Sequence, residues 1–274
     1  MGWIAGKHVV MTGATNGIGL AAAEELAMRG ARLTIVARDQ SKAKALANRT
    51  GADVVLADLS SKTAVRRAAD EILERHDRID ALINNAGVYL TTRQMTKDWI
   101  ETTWAVNHLA PFLLTNLLLE RLRAAAGARI VSTASAAHRR ARLAFDRLQE
   151  QKGMTGYGTT KLCNILFTRE LARRIAGTGV TANCLHPGFV ATRFGDSSGG
   201  AMRAGIAIAK RLFALSPEEG AKTMIHLASS PQVAGRSGGY YDRCAPAEPS
   251  RAAQSDLVAR RLWELSAAIT GIGG

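Results

Sequence analysis

Short apolar runs rich in β-branched residues alternate with longer segments of helical period from Lys7 to about Leu185. This alternation is typical of βαβ units around a parallel sheet, whose right-handed crossovers place helices on both faces. Six strands are predicted, at residues 9–11, 33–36, 54–56, 81–83, 129–131 and 180–185. Helices are predicted over residues 18–29, 41–49, 61–75, 96–124 and 155–176, several of them preceded by a Ser or Thr suited to capping.

The pattern becomes looser after residue 185. A Gly/Ser loop at 195–200 precedes a predicted helix near 201–214, and another helix is expected to start at Ser216. We predict that residues 189–215 form the substrate-binding loop region, because such loops often carry function. A helical period from Ala252 to Ile269 predicts a C-terminal extension over about 250–270. No long linker divides the chain, so residues 1–274 are predicted to form one α/β domain with a doubly wound parallel sheet and helices on both faces.

The composition fits one large globular domain. The chain has 274 residues, of which 47% are hydrophobic and 22% are charged, and this composition excludes wholesale disorder and fibrous repeats. The net charge of +13 could attract nucleic acid, an anionic cofactor or an acidic partner. Most of the basic residues are Arg scattered through Ala-rich helical segments. This distribution favours a solvated surface, and no nucleic-acid partner is predicted.

The sequence also bears on compartment. No apolar run approaches the roughly 20 residues that a bilayer span needs, and residues 1–7 lack the apolar core of a signal peptide. The three cysteines, Cys163, Cys184 and Cys244, form neither a CxxC pair nor a metal-binding spacing. We therefore expect a cytoplasmic protein with reduced thiols, no membrane span and no metal site.

A glycine-rich turn follows the first predicted strand and opens a helix, because residues 12–19 read TGATNGIG. The glycines permit a tight turn and a close approach of backbone to ligand, so a dinucleotide pyrophosphate can rest on the amides at the helix N-terminus. The alternative is a glycine-rich turn that binds nothing. The spacing GxxxGxG differs from the usual GxGxxG fingerprint. The predicted cofactor contacts of this turn are Gly13, Thr15, Asn16, Gly17, Ile18 and Gly19.

The TGxxxGxG spacing resembles the nucleotide-binding motif of the short-chain dehydrogenase/reductase family, which implies a single-domain Rossmann fold with its nucleotide-binding part at about residues 7–190. Asp58 and Leu59 are similar to that family's adenine-contacting pair. Residues 84–87, NNAG, are similar to its segment that supports the sheet near the cofactor, which implies contacts from Asn85, Ala86 and Gly87. Taken alone, Asp58 could be an ordinary helix cap and the two asparagines an ordinary turn.

The charge at the end of the second predicted strand bears on the choice of cofactor. A carboxylate there accepts a hydrogen bond from the ribose 2′-OH of NAD, whereas an Arg pairs with the 2′-phosphate of NADP. In the family, NAD users carry the acidic residue at the position of Ala37, and NADP users often have Arg one residue later, where this chain has Arg38. NADP(H) is therefore favoured. Asp39 keeps NAD(H) open, because it lies about twenty residues after Gly19.

Tyr157 and Lys161 carry the predicted chemistry. A spacing of four on a helix sets both side chains on one face, and an adjacent ammonium is expected to lower the phenol pKa by stabilising the phenolate. The alternative is a surface Tyr beside a Lys. The order Asn107, Ser135, Tyr157, Lys161 resembles the family's catalytic tetrad. The resemblance implies that Tyr157 exchanges a proton with the substrate oxygen, that Ser135 polarises this oxygen, and that Lys161 also binds the nicotinamide ribose.

Two of these assignments have rivals. Ser132 competes with Ser135, and we prefer Ser135 because parallel sheets place their sites beyond the carboxyl ends of the strands. Asn107 lies in a predicted helix that is otherwise apolar. The resemblance implies that Asn107 holds a water connecting Lys161 with solvent, and the alternative is a buried Asn that is satisfied by its own helix.

Further segments extend the resemblance. His186 and the two residues after it are similar to the family's PG motif, which implies cofactor contacts at Pro187, Gly188, Val190 and Thr192. Residues 157–171, residues 216–220 and the long gap between Ser135 and Tyr157 are similar to the retinol dehydrogenase-like branch, whose substrates include retinoids, steroids and lipid-derived carbonyls. The Arg-rich loop at 138–147 is expected either to be solvated or to recognise an anionic head group.

The resulting interpretation is an NADP(H)-dependent oxidoreductase that transfers hydride between nicotinamide and a hydrophobic aldehyde, ketone, retinoid or steroid-like compound. The alternatives are an NAD-dependent alcohol dehydrogenase of the same family and a non-catalytic NADP(H)-binding regulator. Residues 195–199 match the GxSxG of serine hydrolases, but no strand directly precedes them and no helix directly follows, so acyl transfer is not expected. The family implies a homodimer or homotetramer through the helices carrying Asn107 and Tyr157.

Overall fold

The computed structural model describes residues 3–188 and 215–273. In these residues, eight strands form a single sheet in the order β3-β2-β1-β4-β5-β6-β7-β8. Neighbouring strands are parallel except for the last pair, β7 and β8. The predicted α/β fold with a doubly wound sheet is confirmed. The strands are β1 (His8–Thr12), β2 (Arg32–Ala37), β3 (Asp53–Leu56), β4 (Ala81–Asn84), β5 (Arg129–Thr133), β6 (Thr181–His186), β7 (Tyr240–Asp242) and β8 (Ala245–Ala247).

Nine α-helical segments accompany the sheet in the described ranges. Ser or Asp side chains accept from main-chain amides at the N-termini of four of them, α2, α3, α8 and α9. A five-residue π-helical turn, Ala105–Leu109, connects α4 with α5. The helices are α1 (Gly17–Met28), α2 (Gln40–Thr50), α3 (Lys62–Arg75), α4 (Thr102–Trp104), α5 (Ala110–Leu117), α6 (Leu119–Arg123), α7 (Gly153–Arg174), α8 (Pro217–Ser229) and α9 (Asp256–Thr270).

The strands bury apolar side chains on both faces of the sheet. Successive residues of a strand point to opposite faces. Val9 and Met11 accordingly pack with α1, α2 and α8, whereas Val10 packs with α3, α5, α7 and α9. Burial on both faces explains why the strands read as continuous apolar runs rather than as an alternating pattern.

The prediction of one helix over residues 96–124 is wrong at its start and in its middle. Residues 96–101 form a turn, in which the Thr96 hydroxyl accepts from the amides of Asp98 and Ile100. Such a side-chain bond competes with the helical pattern, and α4 begins only at Thr102. Further along, Pro111 has no N–H and cannot bond the fourth carbonyl before it, which belongs to Asn107. The π turn ends at Leu109, two residues before this proline.

The C-terminal part contains two strands that the sequence pattern did not predict. β7 and β8 are three residues each and extend the sheet beyond β6, and short strands give little periodicity. The predicted C-terminal helix is present as α9, which packs against α7. Trp263 of α9 lies 5.8 Å from Phe167 of α7, between ring centroids, and Arg174 lies over the Trp263 ring. The predicted helix near 201–214 falls outside the described residues. None of the described helices is both long and apolar enough to cross a bilayer.

Candidate active site

The predicted site residues follow the carboxyl ends of adjacent strands. β1, β4 and β5 are neighbours and parallel, so their carboxyl ends lie side by side at one edge of the sheet. The strand order reverses at β1, since β2 lies on one side of it and β4 on the other. Open α/β sheets bind ligands in the crevice at such a switch point. The turns after β1, β4 and β5 therefore form the candidate site.

Asn85 joins these three strand ends. Its side-chain Nδ2 donates to the carbonyl of Gly13 at 2.9 Å, and its Oδ1 accepts from the Thr133 hydroxyl at 3.1 Å. The main-chain amides of Asn85 and Ala86 both donate to the Thr12 hydroxyl at 3.1 Å. Asn85 is therefore more than an ordinary turn residue, because one side chain fixes the turns that follow β1, β4 and β5.

The turn between β1 and α1 is built for glycine. A Cβ added to Gly19 would lie 2.0 Å from the Gly13 carbonyl oxygen, and one added to Gly13 would lie 2.7 Å from the Cα of Ala86. Gly13 and Gly17 also have positive φ angles of 68° and 53°. No side chain caps α1 at Asn16, so the amides of the first helical turn keep no side-chain acceptor. A tight turn with open helix amides fits the pyrophosphate of a dinucleotide.

The carboxylate of Asp39 is committed to its own helix. Oδ1 accepts from the Ser41 hydroxyl at 2.7 Å and from the Lys42 amide at 3.1 Å, and Oδ2 pairs with Lys42 Nζ at 3.1 Å. The hydrogen bond from Ser41, followed by those from Lys42, holds the pKa of Asp39 well below its usual range. Asp39 is the N-cap of α2 and has both oxygens engaged.

Arg38 lines an open cavity of about 400 Å³ next to β3, together with Asp58, Arg67 and Lys97. Asp58 is not the cap of α3, because Ser61 takes that position and accepts from the Ala64 amide. Asp58 instead accepts from the Ser60 amide at 2.9 Å. Three cations therefore surround a space at the carboxyl end of β2 and β3, where the resemblance places the adenosine half of the cofactor.

Tyr157, Lys161 and Ser135 come together as predicted from their spacing and order. Lys161 Nζ lies 5.5 Å from the centroid of the Tyr157 ring on the same face of α7. The Ser135 side chain lies close enough to the Tyr157 phenol to lower its pKa. Lys161 is 3% exposed, and its Nζ donates to the carbonyl of Thr133 at 2.9 Å. A surface Tyr beside a Lys is therefore the wrong description of this pair.

Burial controls the pKa values of this pair. Desolvation raises the pKa of Tyr157 to about 12, against a smaller lowering by the Ser135 hydrogen bond. Desolvation likewise lowers the pKa of Lys161 to about 8. The expectation that Lys161 lowers the phenol pKa is thus not met, because both charged forms lose solvation in the same buried region. The phenol is protonated at neutral pH.

Asn107 is completely buried in the π turn, and its side chain reaches beyond its own helix. Its Oδ1 accepts from the Val88 amide at 2.7 Å, while Nδ2 donates to the Val88 carbonyl at 2.9 Å and to the Thr160 hydroxyl at 3.1 Å. The alternative of a buried Asn satisfied by its own helix is therefore wrong, because the partners of this side chain lie outside that helix. The water-holding role that the resemblance implies for Asn107 stays a prediction.

Gly87 marks the space between Asn107 and Lys161. A Cβ placed on Gly87 would lie 3.4 Å from Asn107 Oδ1 and 3.5 Å from Lys161 Nζ. The two polar groups therefore border the same small volume beside the turn after β4. Asn107, the fourth member of the predicted tetrad, therefore lies in one site with Lys161, Tyr157 and Ser135.

The two candidate serines occupy different environments. Ser132 lies inside β5, is 2% exposed and has a hydroxyl without a hydrogen-bond partner among the described residues. Ser135 lies two residues beyond β5, where it begins the short 3-10 helix Ala136–Arg140 and accepts from the Ala137 amide at 3.2 Å. Of the two serines, Ser135 is the one whose side chain affects the pKa of Tyr157.

The remaining predicted cofactor contacts are only partly described. Pro187 and Gly188 follow β6, and Gly188 has a φ of 83°, which favours glycine. Val190, Thr192 and the GxSxG match at 195–199 lie outside the described residues. Leu59 is partly buried against the core beside α3.

The Arg-rich loop 138–147 is partly tied to the protein. Arg139 donates to the carbonyl of Glu248 at 2.9 Å, and Arg147 pairs with Glu150 at 3.0 Å. Arg140 and Arg142 are exposed. His138, in contrast, is fully buried. Recognition of an anionic head group by this loop stays a prediction.

Sequence reasoning missed four residues that support the site. Thr133 accepts from Lys161 through its carbonyl, and Asn164 donates to the same carbonyl at 3.1 Å. His108 and His138 are buried next to Asn107 and Ser135. Polarity in apolar surroundings was the available signal, as for His108 in residues 105–110 and Asn164 in residues 162–167. Within 3–188 and 215–273, no group of three His, Cys, Asp or Glu side chains is arranged to hold a metal.

Comparison with known structures supports the same fold. An uncharacterized protein from Mycobacterium paratuberculosis is 32% identical, with a TM-score of 0.79 over 99% of this chain and 98% of that one. A short-chain dehydrogenase from Burkholderia cenocepacia, solved in complex with NADP, is 28% identical, with a TM-score of 0.70 over 87% of this chain and 96% of that one.

Sequence comparison extends over nearly the whole chain. Human retinol dehydrogenase 14 is 38% identical over 99% of this chain and 88% of the relative. The family model for short chain dehydrogenases matches residues 7–202. With the glycine turn, the switch point and the residues of the turns after β4 and β5, these matches show that the chain belongs to the short-chain dehydrogenase/reductase family, in its retinol dehydrogenase-like part, and is an oxidoreductase acting on CH–OH groups with NAD(P).

Proposed function

We propose that this protein reduces a hydrophobic aldehyde or ketone, or oxidises the corresponding alcohol, with NADP(H). The observation that carries the proposal is the geometry of Tyr157 and Lys161. Lys161 Nζ lies 5.5 Å from the centroid of the phenol ring and donates to the carbonyl of Thr133, two residues before Ser135. Three polar groups that can bind and protonate an oxygen are thereby held at the switch point of the sheet. When bound, NADPH would supply the hydride from the nicotinamide.

Each of these side chains has a role that its environment supports. The Tyr157 phenol is protonated at neutral pH, so it can donate its proton to a carbonyl oxygen as that oxygen gains negative charge. The single proton of the Ser135 hydroxyl can be donated to the same oxygen, which would polarise it. Lys161 supplies a positive charge beside the phenolate that remains. A protonated phenol suits carbonyl reduction, whereas alcohol oxidation needs the phenolate.

Asn107 is proposed to serve the proton relay through its main chain. Its amide side chain is taken by Val88 and Thr160. Its carbonyl, however, cannot receive the usual α-helical donor, because Pro111 stands at that position. A water bound by this carbonyl would connect Lys161 with solvent.

The preference for NADP(H) rests on the charges around Arg38. Asp39, the residue that kept NAD(H) open, caps α2 through Oδ1 and pairs with Lys42 through Oδ2, so a ribose hydroxyl would compete with these partners. Arg38, Arg67 and Lys97 line one cavity, and a 2′-phosphate is the anion that such a cavity fits. The Burkholderia cenocepacia relative was solved with NADP.

The proposed substrate class follows from the relatives. Proteins named retinol dehydrogenases 14 and 12 match this chain at 38% and 41% identity, and we infer an apolar carbonyl or alcohol of retinoid or steroid-like character. The residues expected to enclose the substrate, 189–215, lie almost wholly outside the described part.

The test is consumption of NADPH with a panel of apolar and polar aldehydes and ketones, compared with binding of NADPH followed by its fluorescence. We expect both binding and consumption, with higher kcat/KM for apolar carbonyls and with NADPH than with NADH. Binding without consumption would favour the regulatory alternative. Consumption with a preference for NADH would establish the NAD-dependent alternative.

Two further expectations belong to this proposal. A homodimer or homotetramer, implied by the family, is to be tested by sedimentation velocity. A cytoplasmic location is supported by three cysteines that are all free thiols, and it is to be tested by cell fractionation.

A further inference from the structure

The chain after β8 touches the active site at two buried histidines. His108 directly follows Asn107 in the π turn, and its Nε2 lies 2.8 Å from the hydroxyl of Ser266 in α9. His138 lies three residues after Ser135, and its Nε2 accepts from the main-chain amide of Ser250 at 3.1 Å. Each histidine is at most 1% exposed. The C-terminal segment, defined here as residues 249–271, therefore reaches both turns that carry predicted tetrad residues ahead of α7.

The hydrogen bond of His108 is made by a neutral ring, because burial lowers the pKa of His108 to about 4. The Ser266 hydroxyl also lies 2.7 Å from the Leu262 carbonyl. When this hydroxyl donates to the carbonyl it accepts from His108 Nε2, and when it donates to Nε2 the ring carries its proton on Nδ1. The His108 ring also lies nearly parallel to that of Trp104 in α4. Contacts with α4 and with α9 therefore both orient the ring.

His138 has a defined tautomer. Its Nδ1 lies 2.6 Å from the Ser135 carbonyl, which is only an acceptor, so Nδ1 carries the proton and Nε2 is free to accept from Ser250. His138 thus donates to the main chain of Ser135 and accepts from the main chain of the C-terminal segment. The two contacts span 158 residues for Ser266 and 112 for Ser250, so neither is part of a local turn.

The segment is firmly attached at its far end. Lys62 and Arg66 of α3 donate to the carbonyls of Ile269 and Thr270 at 3.0 and 2.6 Å. These two contacts tie the C-terminal end of α9 to α3. An anchored helix can fix the groups that it touches, whereas a frayed tail could not.

We propose that the C-terminal segment is a positioning element of the active site, in which Ser266 holds the π turn that carries Asn107 and Ser250 holds the turn that carries Ser135, each through a buried histidine. This inference rests on the proposed function, because it gives Asn107 and Ser135 their roles. Ser266, His108 and His138 are positioning residues and touch neither substrate nor cofactor.

The test compares Ser266→Ala with Thr270→Val. Both substitutions remove a buried hydroxyl from α9, but the Thr270 hydroxyl bonds only carbonyls of its own helix. We expect Ser266→Ala to lower kcat about 10-fold with little change in KM for NADPH, and Thr270→Val to behave as wild type. His108→Leu should reproduce the loss, and His108→Gln, whose amide can donate from the same end, should restore most of the rate.

A second measurement does not depend on turnover. The Val88 amide donates to Asn107 Oδ1, so its hydrogen exchange reports whether Asn107 is in place. We expect faster exchange at Val88 in Ser266→Ala and in His108→Leu, but not in Thr270→Val. Wild-type kcat and exchange in Ser266→Ala would overturn the proposal, as would equal losses in Ser266→Ala and Thr270→Val. Absence of NADPH turnover in the wild-type protein would contradict the proposed function instead, and the exchange at Val88 would still decide the positioning role.

Discussion

Lys161 and Asn164 donate to one acceptor, the carbonyl oxygen of Thr133, over 2.9 and 3.1 Å. Both donors lie on α7, and the acceptor is the last residue of β5. A main-chain carbonyl carries only a partial charge, so Lys161 is held in place without a full countercharge at this contact. Its low pKa follows from that environment, and so does a measurable dependence of stability on pH.

The first prediction concerns Lys161 and the free energy of unfolding. Its pKa is about 8 in the folded protein against an ordinary value of 10.5. Between these two pH values the unfolded chain binds a proton that the folded chain has released, so this contribution to stability rises with pH. Below pH 8 the cost of burying Lys161 is fully present. The free energy of unfolding of Lys161→Met minus that of wild type is the quantity to compare. We expect this difference to be larger at pH 7 than at pH 10.5 by on the order of 3 kcal/mol.

Urea unfolding of wild type and Lys161→Met at several pH values between 7 and 10.5 measures this difference. Other groups that titrate in this range, including the buried thiols Cys163 and Cys184, whose pKa burial raises to about 12, are shared by both proteins and cancel. If the two stability curves run parallel across this range, Lys161 does not titrate as described.

The second prediction concerns Tyr157. Tyr157→Phe removes the proposed proton donor while keeping the ring, so turnover should fall about 10²-fold or more with NADPH binding retained. Stopped-flow absorbance measures the rate, and NADPH fluorescence measures the binding. Tyr241→Phe, in β7, removes a phenol oxygen away from the site and should keep the wild-type rate. Near-wild-type turnover in Tyr157→Phe would refute the assignment of this residue.

The third prediction concerns the glycine turn. A Cβ at Gly19 would meet the Gly13 carbonyl and Asn85 Nδ2, so Gly19→Ala must push apart two turns that Asn85 holds together. We expect NADPH affinity to fall at least 10-fold. Gly51→Ala is the control, because Gly51 ends α2 with positive φ and has nothing within 4 Å of an added Cβ. Its cost, about 1 kcal/mol, should fall on stability alone. Equal NADPH affinity of the two variants would contradict the prediction.

The fourth prediction concerns the choice of cofactor. Arg38→Gln should raise KM for NADPH about 10-fold and leave KM for NADH nearly unchanged, because hydrogen bonds to charged groups are worth roughly 1.5–3 kcal/mol. Arg67→Gln and Lys97→Gln should have smaller effects of the same sign, since both residues line the cavity with Arg38. The control is Arg260→Gln, which removes the same charge at an exposed position of α9. A parallel change for NADPH and NADH in Arg38→Gln would show that Arg38 does not read the 2′-phosphate.

The cap at Asp39 shows a signal that was present in the sequence but was given another meaning. An Asp directly before a helix can accept from the main-chain amide three residues later, and such an N-cap is a local sequence pattern. Its distance from Gly19 suggested a ribose contact, and only the structure showed both oxygens bound within four residues. The pKa of Tyr157 was misjudged for a different reason. The sequence shows the neighbouring charge of Lys161, but it does not show how far both groups are desolvated.

The sequence by itself determined the parallel sheet, the glycine turn and the common face of Tyr157 and Lys161. These features depend on strand and helix periodicity and on spacings of a few residues, which neighbouring side chains encode directly. Only the tertiary structure decided that Lys161 and Asn164 share the Thr133 carbonyl, that Asn107 is bound by Val88 and Thr160, and that the C-terminal segment reaches two histidines. Those contacts join residues up to 158 positions apart. Their geometry follows from the packing of whole elements on the sheet, which no local pattern records.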